Sequence, residues 1–383
     1  MLHRMPFILF GVIFGASLLN PWIPENVQSW FLALGLSIKA ILMFLLPVVI
    51  FGLLFKTAAT LSKGATKVIL FLFVAICVSN FTSAMVSYNV GKVVHYLDLS
   101  IAAPQEFTGL QPAWIFTLPK WISNAQAMLA GLLLGIASSL LKWKALGPAS
   151  LFLEKWVNRL LCGFILVMPL FIAGCVMKLA HDGVIVRIVE DYALIFAIVA
   201  VAVFSYVSLI YLAANRFHLP SFFKSIKNML PAAITGFGSM SSAAAMPLTI
   251  LGAEKNLSDP HFARAVIPAT VNIHLIGDCF AIPIFAFAVL KNFGFEQPEL
   301  GTYLTFAFYF VLAKFSVAAI PGGGIIVMLP VLESYLGFNA EMLSIITALH
   351  VLLDPVITGA NVLGNGGFAM LLSKLLGRVE SRA

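Results

Sequence analysis

Charge is what this 383-residue chain has least of: 10% of its residues are Asp, Glu, Lys or Arg, against 61% that are hydrophobic. A water-soluble globule could not cover its surface with so little polar material, so lipid is the expected solvent. Long polar intervals are missing too. The longest, residues 98–111, is too short to fold alone, which places function within the membrane-embedded part. Paired cysteines are absent. Cys77, Cys162, Cys175 and Cys279 lie singly in apolar stretches, which excludes the close spacings of zinc and redox motifs, and no metal site is predicted from them. No Gly-x-x-x-x-Gly-Lys-Ser/Thr loop occurs, so an ATP-driven pump is not expected, and no organic cofactor or nucleic-acid partner is expected either.

What is present is a series of apolar runs of the length that crosses a hydrocarbon core, about 20 residues for roughly 30 Å. Eight spans are expected, near residues 5–20, 30–55, 67–91, 113–141, 156–180, 192–213, 260–290 and 341–372. The first, preceded by His3 and Arg4, reads as an uncleaved helix rather than a signal peptide. Two further apolar segments are broken. Residues 225–253 contain Gly236, Gly238, Ser239, Ser241, Ser242 and Pro247, and residues 302–336 contain Pro321, Gly322, Gly323 and Gly324. Backbone freed by such breaks is tolerated at membrane depth only where it is buried in protein or lines a cavity, so both segments read as re-entrant hairpins. Basic residues agree: Lys56, Lys63, Lys67, then Lys142, Lys144, Lys155, Arg159, then Arg216, Lys224, Lys227, Lys255, Arg264, and finally Lys374, Arg378, Arg382 fall in alternate connections. This places both termini in the cytoplasm and orients the two hairpins oppositely, as an inverted repeat would.

Four clusters carry chemistry. At the first break, the hydroxyls of Ser241 and Ser242 and exposed amides suit an anionic group. At the second, Pro321, Gly322 and Gly323 allow close backbone approach to a ligand, and nearby Lys314 either snorkels to the surface or is paired. The last span, polar and interrupted by Gly359, Gly364, Gly366 and Gly367, stacks Asp354, Thr358, Asn361 and Asn365 on one helical face. The preceding span offers Thr270, Asn272, His274 and Asp278, of which His274 and Asp278 are spaced to interact along a helix and to take part in proton uptake. A neutral histidine satisfied by a backbone carbonyl fits the same residues.

Taken in order, the runs 241–249, Asn272, 320–324 and 354–365 resemble the dicarboxylate and amino acid:cation symporter family, which includes glutamate and neutral amino acid transporters. The resemblance is carried by residues 221–380; over the first six spans only the hydrophobic layout matches. It implies an all-α integral membrane fold of the glutamate-transporter type, eight transmembrane helices plus two re-entrant helical hairpins, and a homotrimer working by an elevator mechanism. Residues 1–220 would then be mainly scaffold and trimerisation spans, some moving with the transport domain, whose core is residues 221–383. It further implies that Asp354 holds a substrate ammonium, that Thr358, Asn361, Ser241, Ser242, Pro321, Gly322 and Gly323 complete the substrate site, and that Thr270, Asn272, His274, Asp278, Lys314 and Asn365 surround the coupling sites.

The departures matter as much. Ile357 and Met240 stand where family members place an arginine for a second carboxylate, so a neutral substrate is favoured, since a buried carboxylate without a cation is costly. His274 and Asn365 stand where sodium-binding aspartates are expected, Lys314 falls near another sodium site, and Leu72, Ala75 and Ile76 stand where the third span offers hydroxyls. Coupling to protons, or to no ion, is therefore expected in place of sodium. A sodium-coupled acidic-substrate symporter is the near alternative; an ion channel or an intramembrane hydrolase would be the alternatives from other classes. The expected location is a bacterial inner membrane.

Overall fold

The computed structural model describes residues 8, 11–12, 15–16, 18–61, 66–97, 109–119, 121–122, 124–140, 146–181, 184–317 and 322–380. All regular structure among them is helical. Half of the first expected span, residues 5–20, lies outside these residues. The second and third are α1 (Glu25–Leu61) and α2 (Thr66–Tyr96), followed by α3 (Asn124–Leu140), α4 (Leu146–His181) and α5 (Val184–Ala214). The first hairpin is α6 (Leu219–Ser239) and α7 (Ser242–Glu254). After α8 (Pro260–Thr270) and α9 (Ile276–Asn292), the second hairpin is α10 (Leu300–Lys314) and α11 (Gly323–Leu336), and α12 (Ala340–Glu380) is the last described element.

Three of the four hairpin arms are short, the exception being α6 with 21 residues. Arms of 13, 15 and 14 residues in α7, α10 and α11 reach roughly 20 Å at 1.5 Å per residue, less than the core of a bilayer. By contrast Phe71–Tyr96, Tyr192–Ala214 and Ala340–Leu375 are long and apolar enough to cross one. The first hairpin turns at Met240, whose left-handed φ of 49° ends α6, and Ser241 caps α7 by accepting the Ala244 N–H at 3.2 Å. The second turns at Gly322, with φ 69° before the first residue of α11, a conformation glycine adopts without strain.

Three expectations are corrected. The span placed at 113–141 begins as a helix only at Asn124, and Pro119 disfavours helix in the residue before it. The upstream segment is instead a strap along α1, with the Ala113 N–H donating to the Ser29 carbonyl, Trp114 Nε1 to Ser37 Oγ and Trp121 Nε1 to the Phe44 carbonyl. The span placed at 260–290 is not one helix but two, unwound between Thr270 and Ile276. The last span, expected to be interrupted, is one unbroken helix of 41 residues despite Pro355. Its glycines are packing slots: a methyl at Gly366 would lie 2.6 Å from the Tyr211 hydroxyl, at Gly367 2.8 Å from Ile210 Cγ2, and at Gly364 3.0 Å from Ile276 Cδ1. They let α5, α6 and α9 approach the α12 backbone, and Tyr211 Oη donates to the Leu363 carbonyl at 2.9 Å.

Packing sorts the helices by contact rather than by chain order. α3 and α4 each pack mainly on α1. α2 lies against α9 and α10, where Tyr88, Phe287 and Tyr303 form an aromatic cluster, and α5 lies against α9 and α12. The core is centred on α9, in which every residue from Ile276 to Leu290 is buried, flanked by α11 and α12. The polar clusters of the last two spans therefore face protein, except for Asn272, which is exposed.

Candidate functional site

α12 presents Asp354, Thr358, Asn361 and Asn365 on one buried face, as their spacing predicts. Asp354 Oδ1 accepts the Thr358 hydroxyl at 3.0 Å, and Oδ2 accepts the backbone N–H of Gly322 at 2.8 Å. The tip of the second hairpin thus rests on this carboxylate. Gly322 and Gly323 are brought to the site; Pro321 lies outside the described residues. An ionised carboxylate offers about four acceptor positions, so two hydrogen bonds leave capacity for an ammonium.

Facing α12 from α9 is a second carboxylate, Asp278, which meets residues on either side of Asp354 along that helix, His350 and Asn361. His350 Nε2 stands 2.9 Å from its Oδ1 and, because a carboxylate only accepts, donates to it. Asn361 Nδ2 donates to Oδ2 at 2.9 Å, and the amide is fixed by the Gly277 N–H donating to its Oδ1 at 2.7 Å. Lys314, at the end of α10, is 0% exposed and brings its Nζ to 3.7 Å from Asp278 Oδ1 and 4.6 Å from the Phe310 ring centre. It does not snorkel, and its partner is Asp278 rather than Asp354. Gly324, in the first turn of α11, sits so close to Asp278 Oδ1 that a methyl there would collide with it.

The third group surrounds the unwound segment. His274 lies outside any helix, stacks on Phe368 with ring centres 4.0 Å apart, and meets Ser79 Oγ through Nε2 at 2.9 Å. Asn80 Nδ2 donates to the Ile273 carbonyl, and Asn365 Nδ2 to the carbonyls of His274 and Asn361. The expected contact between His274 and Asp278 does not form, because unwinding between them removes the helical register that would align them. Thr270 turns its hydroxyl back to Val266 and Ile267 in its own helix, and Asn272 is exposed. Within this group His274 Nδ1, Asn80 Oδ1 and Asn365 Oδ1 are buried without a hydrogen-bond partner.

Hairpin 1 approaches from the other side. Gly236 packs on Val362 and Thr358, and Gly359 on Ala233 and Phe237, which sets the Ser241 and Ser242 turn beyond that contact, with Ser242 buried and Ser241 engaged as the α7 cap. Sequence reasoning missed three residues. His350 precedes Asp354 by four and extends its stack by one turn, a signal that was available. Ser79 and Asn80, not Leu72, Ala75 and Ile76, are the polar residues the third span contributes, and only packing against the unwound segment fixes that register. Among the described residues no three His, Cys, Asp or Glu side chains converge as for a metal ion.

The chain matches the sodium:dicarboxylate symporter family over residues 5–375. It is 31% identical over 173 residues to the human protein "Excitatory amino acid transporter 2", a match covering 44% of this chain and 29% of that protein. It is 30% identical over 141 residues to an "Excitatory amino acid transporter" of Onchocerca volvulus, covering 37% of this chain and 28% of the relative. A third match, 31% identical over 154 residues, is to "Excitatory amino acid transporter 4" of Mus musculus and covers 40% and 27%. These matches thus span under a third of each relative's length, whereas the family match runs almost the whole chain. The chain belongs to the sodium:dicarboxylate symporter family.

Proposed function

We propose that this member of the sodium:dicarboxylate symporter family carries a small amino acid or related carboxylate across the bilayer, with a neutral zwitterion preferred. The carrying observation is the buried Asp354 carboxylate, held by Thr358 and by the Gly322 N–H at the tip of hairpin 2. A substrate ammonium would take its remaining acceptor capacity, while hairpin amides receive the substrate carboxylate. A second substrate carboxylate has no evident counter-charge: Ile357 and Met240 are apolar, and Lys314 is engaged by Asp278. Acidic substrates are the second reading, supported by the names of the relatives. Uptake of a labelled neutral amino acid into proteoliposomes, with unlabelled neutral and acidic competitors, separates the two; stronger competition by aspartate, glutamate or succinate would overturn the preference.

The packing supports a moving body that does not follow the division at residue 220. α2 and α5 would travel with α6–α12, and α1, α3 and α4 would form the scaffold of a homotrimer. Coupling is read as proton-driven or ion-independent, since His274 in the unwound segment and Asn365 facing it from α12 stand where carboxylates would compensate a sodium ion. A sodium-dependent reading keeps some support from the unpartnered Asn80 Oδ1 and Asn365 Oδ1, which are oxygen acceptors. Replacing sodium by choline under a fixed proton gradient decides: unchanged uptake is expected, and collapse would restore sodium.

A further inference from the structure

Hairpin 2 rests on two carboxylates, not one. Its tip donates the Gly322 N–H to Asp354, and the end of its first arm carries Lys314 to Asp278, which belongs to α9 and is bonded to His350 and Asn361 of α12. The second arm touches Asp278 as well, through Gly324 in the first turn of α11, where a helix N-terminus carries positive partial charge. The hairpin is thus fastened to both core helices through one buried anion. A buried carboxylate at such a junction requires a positive partner, because removing the charge of one member of a buried pair leaves the other uncompensated.

We infer that Lys314 is a resident cation: its ammonium, set against Asp278, locks hairpin 2 over Asp354 in place of an ion taken from solution. The geometry fits an electrostatic tether better than a hydrogen-bonded one. Nζ stands 3.7 Å from the carboxylate oxygen, has no hydrogen-bond partner and lies over the Phe310 ring, so charge rather than a directed bond holds it. The other titratable groups around the pair are His350, whose ring nitrogen faces the same oxygen, Cys279, buried next to Asp278, and Asp354, one turn beyond His350 along α12 and tied to the same hairpin. A cation on the hairpin's own chain need not be captured at each closure. The inference rests on the transport reading only in calling hairpin 2 a lid; the ion pair and its consequence for opening exist without it.

The experiment reads hairpin opening directly, so that absence of amino acid transport would not obscure it. In detergent, with the four native cysteines replaced, the thiol-labelling rate of a cysteine at buried Val317 reports opening of the hairpin 2 tip. With Lys314 present the rate is expected to be slow and equal in sodium, lithium and choline chloride. Lys314→Ala should label at least about tenfold faster in choline, and n-propylammonium, which supplies the lost methylenes and ammonium, should return the rate most of the way. The charge-neutral pair Lys314→Met with Asp278→Asn should label slowly in every salt, and it serves as the deciding variant if Lys314→Ala does not fold. Parental labelling by Lys314→Ala, no rescue by n-propylammonium, or fast labelling or misfolding of the double variant would each overturn the assignment. A parent protein that labels slowly only in sodium would overturn it as well.

Discussion

Asp354 is placed by two segments at once: its own helix carries Thr358, which one turn on orients Oδ1, and Gly322 from a distant hairpin orients Oδ2. Removing its charge should therefore abolish substrate binding while leaving the helix intact. Asp354→Ala is expected to show no uptake and no substrate-induced thermal shift, yet to elute as the parent does; retained uptake would remove Asp354 from the site. Thr358→Val keeps shape and loses the hydroxyl, a change of about 1 kcal/mol for a hydrogen bond of this kind, so a several-fold loss of apparent affinity is expected in the same thermal titration. Asp278 stands apart from both. Its hydrogen bonds come from His350 and Asn361 and its charge is compensated by Lys314, so its role is to hold protein to protein rather than to meet the substrate.

Among the elements, α12 and hairpin 2 depend on glycine for opposite reasons. On α12 glycine admits neighbours to an unbroken helix; at hairpin 2 it lets the backbone reach a side chain. Gly324→Ala would drive a methyl into Asp278 Oδ1, and overpacking of this kind typically costs about 1–3 kcal/mol. The expected result is a lower melting temperature together with a more open hairpin, read by faster labelling at Val317. Tyr211→Phe tests the other case. It deletes one hydrogen bond to the Leu363 carbonyl while keeping the ring against Gly367, so a loss of about 1 kcal/mol in stability is expected with uptake unchanged.

For the whole molecule, the grouping of α1, α3 and α4 against α2 and α5–α12 makes motion between the two groups the natural consequence of a carrier reading. Lys178 of α4 and Glu341 at the start of α12 pair across that boundary at 2.6 Å, with side chains 26% and 53% exposed. So exposed a pair contributes at most about 1 kcal/mol and does not prevent movement. Joining the same positions covalently would. Cysteines at 178 and 341, bridged by a short bifunctional reagent, should stop uptake, and cleavage of the bridge should restore it. Full uptake with the bridge in place would show that the two groups do not slide past each other here.

The sequence by itself determined that the chain is an all-helical membrane protein with two broken segments, and it determined which residues share the polar face of the last helix. Those conclusions follow from local quantities: run length against bilayer thickness, glycine and proline at breaks, and a four-three-four spacing that any α-helix turns into a stripe. What tertiary structure decided is which breaks are real and which polar residues meet. Glycines at 364, 366 and 367 read alike whether they unwind a helix or admit Ile276, Met229 and Tyr211 to it, and only the neighbours distinguish the two. The unwinding between Thr270 and Ile276 carries no glycine at all; the freed carbonyls of Ile273 and His274 are taken by Asn80 and Asn365, from helices far away in sequence. Lys314 shows the same division. Its position in an apolar hairpin was legible as a cost, but the choice of Asp278 over Asp354 as the compensating charge belongs to the packing of α9, α10 and α12, because a long flexible side chain goes to whichever buried anion the fold brings nearest.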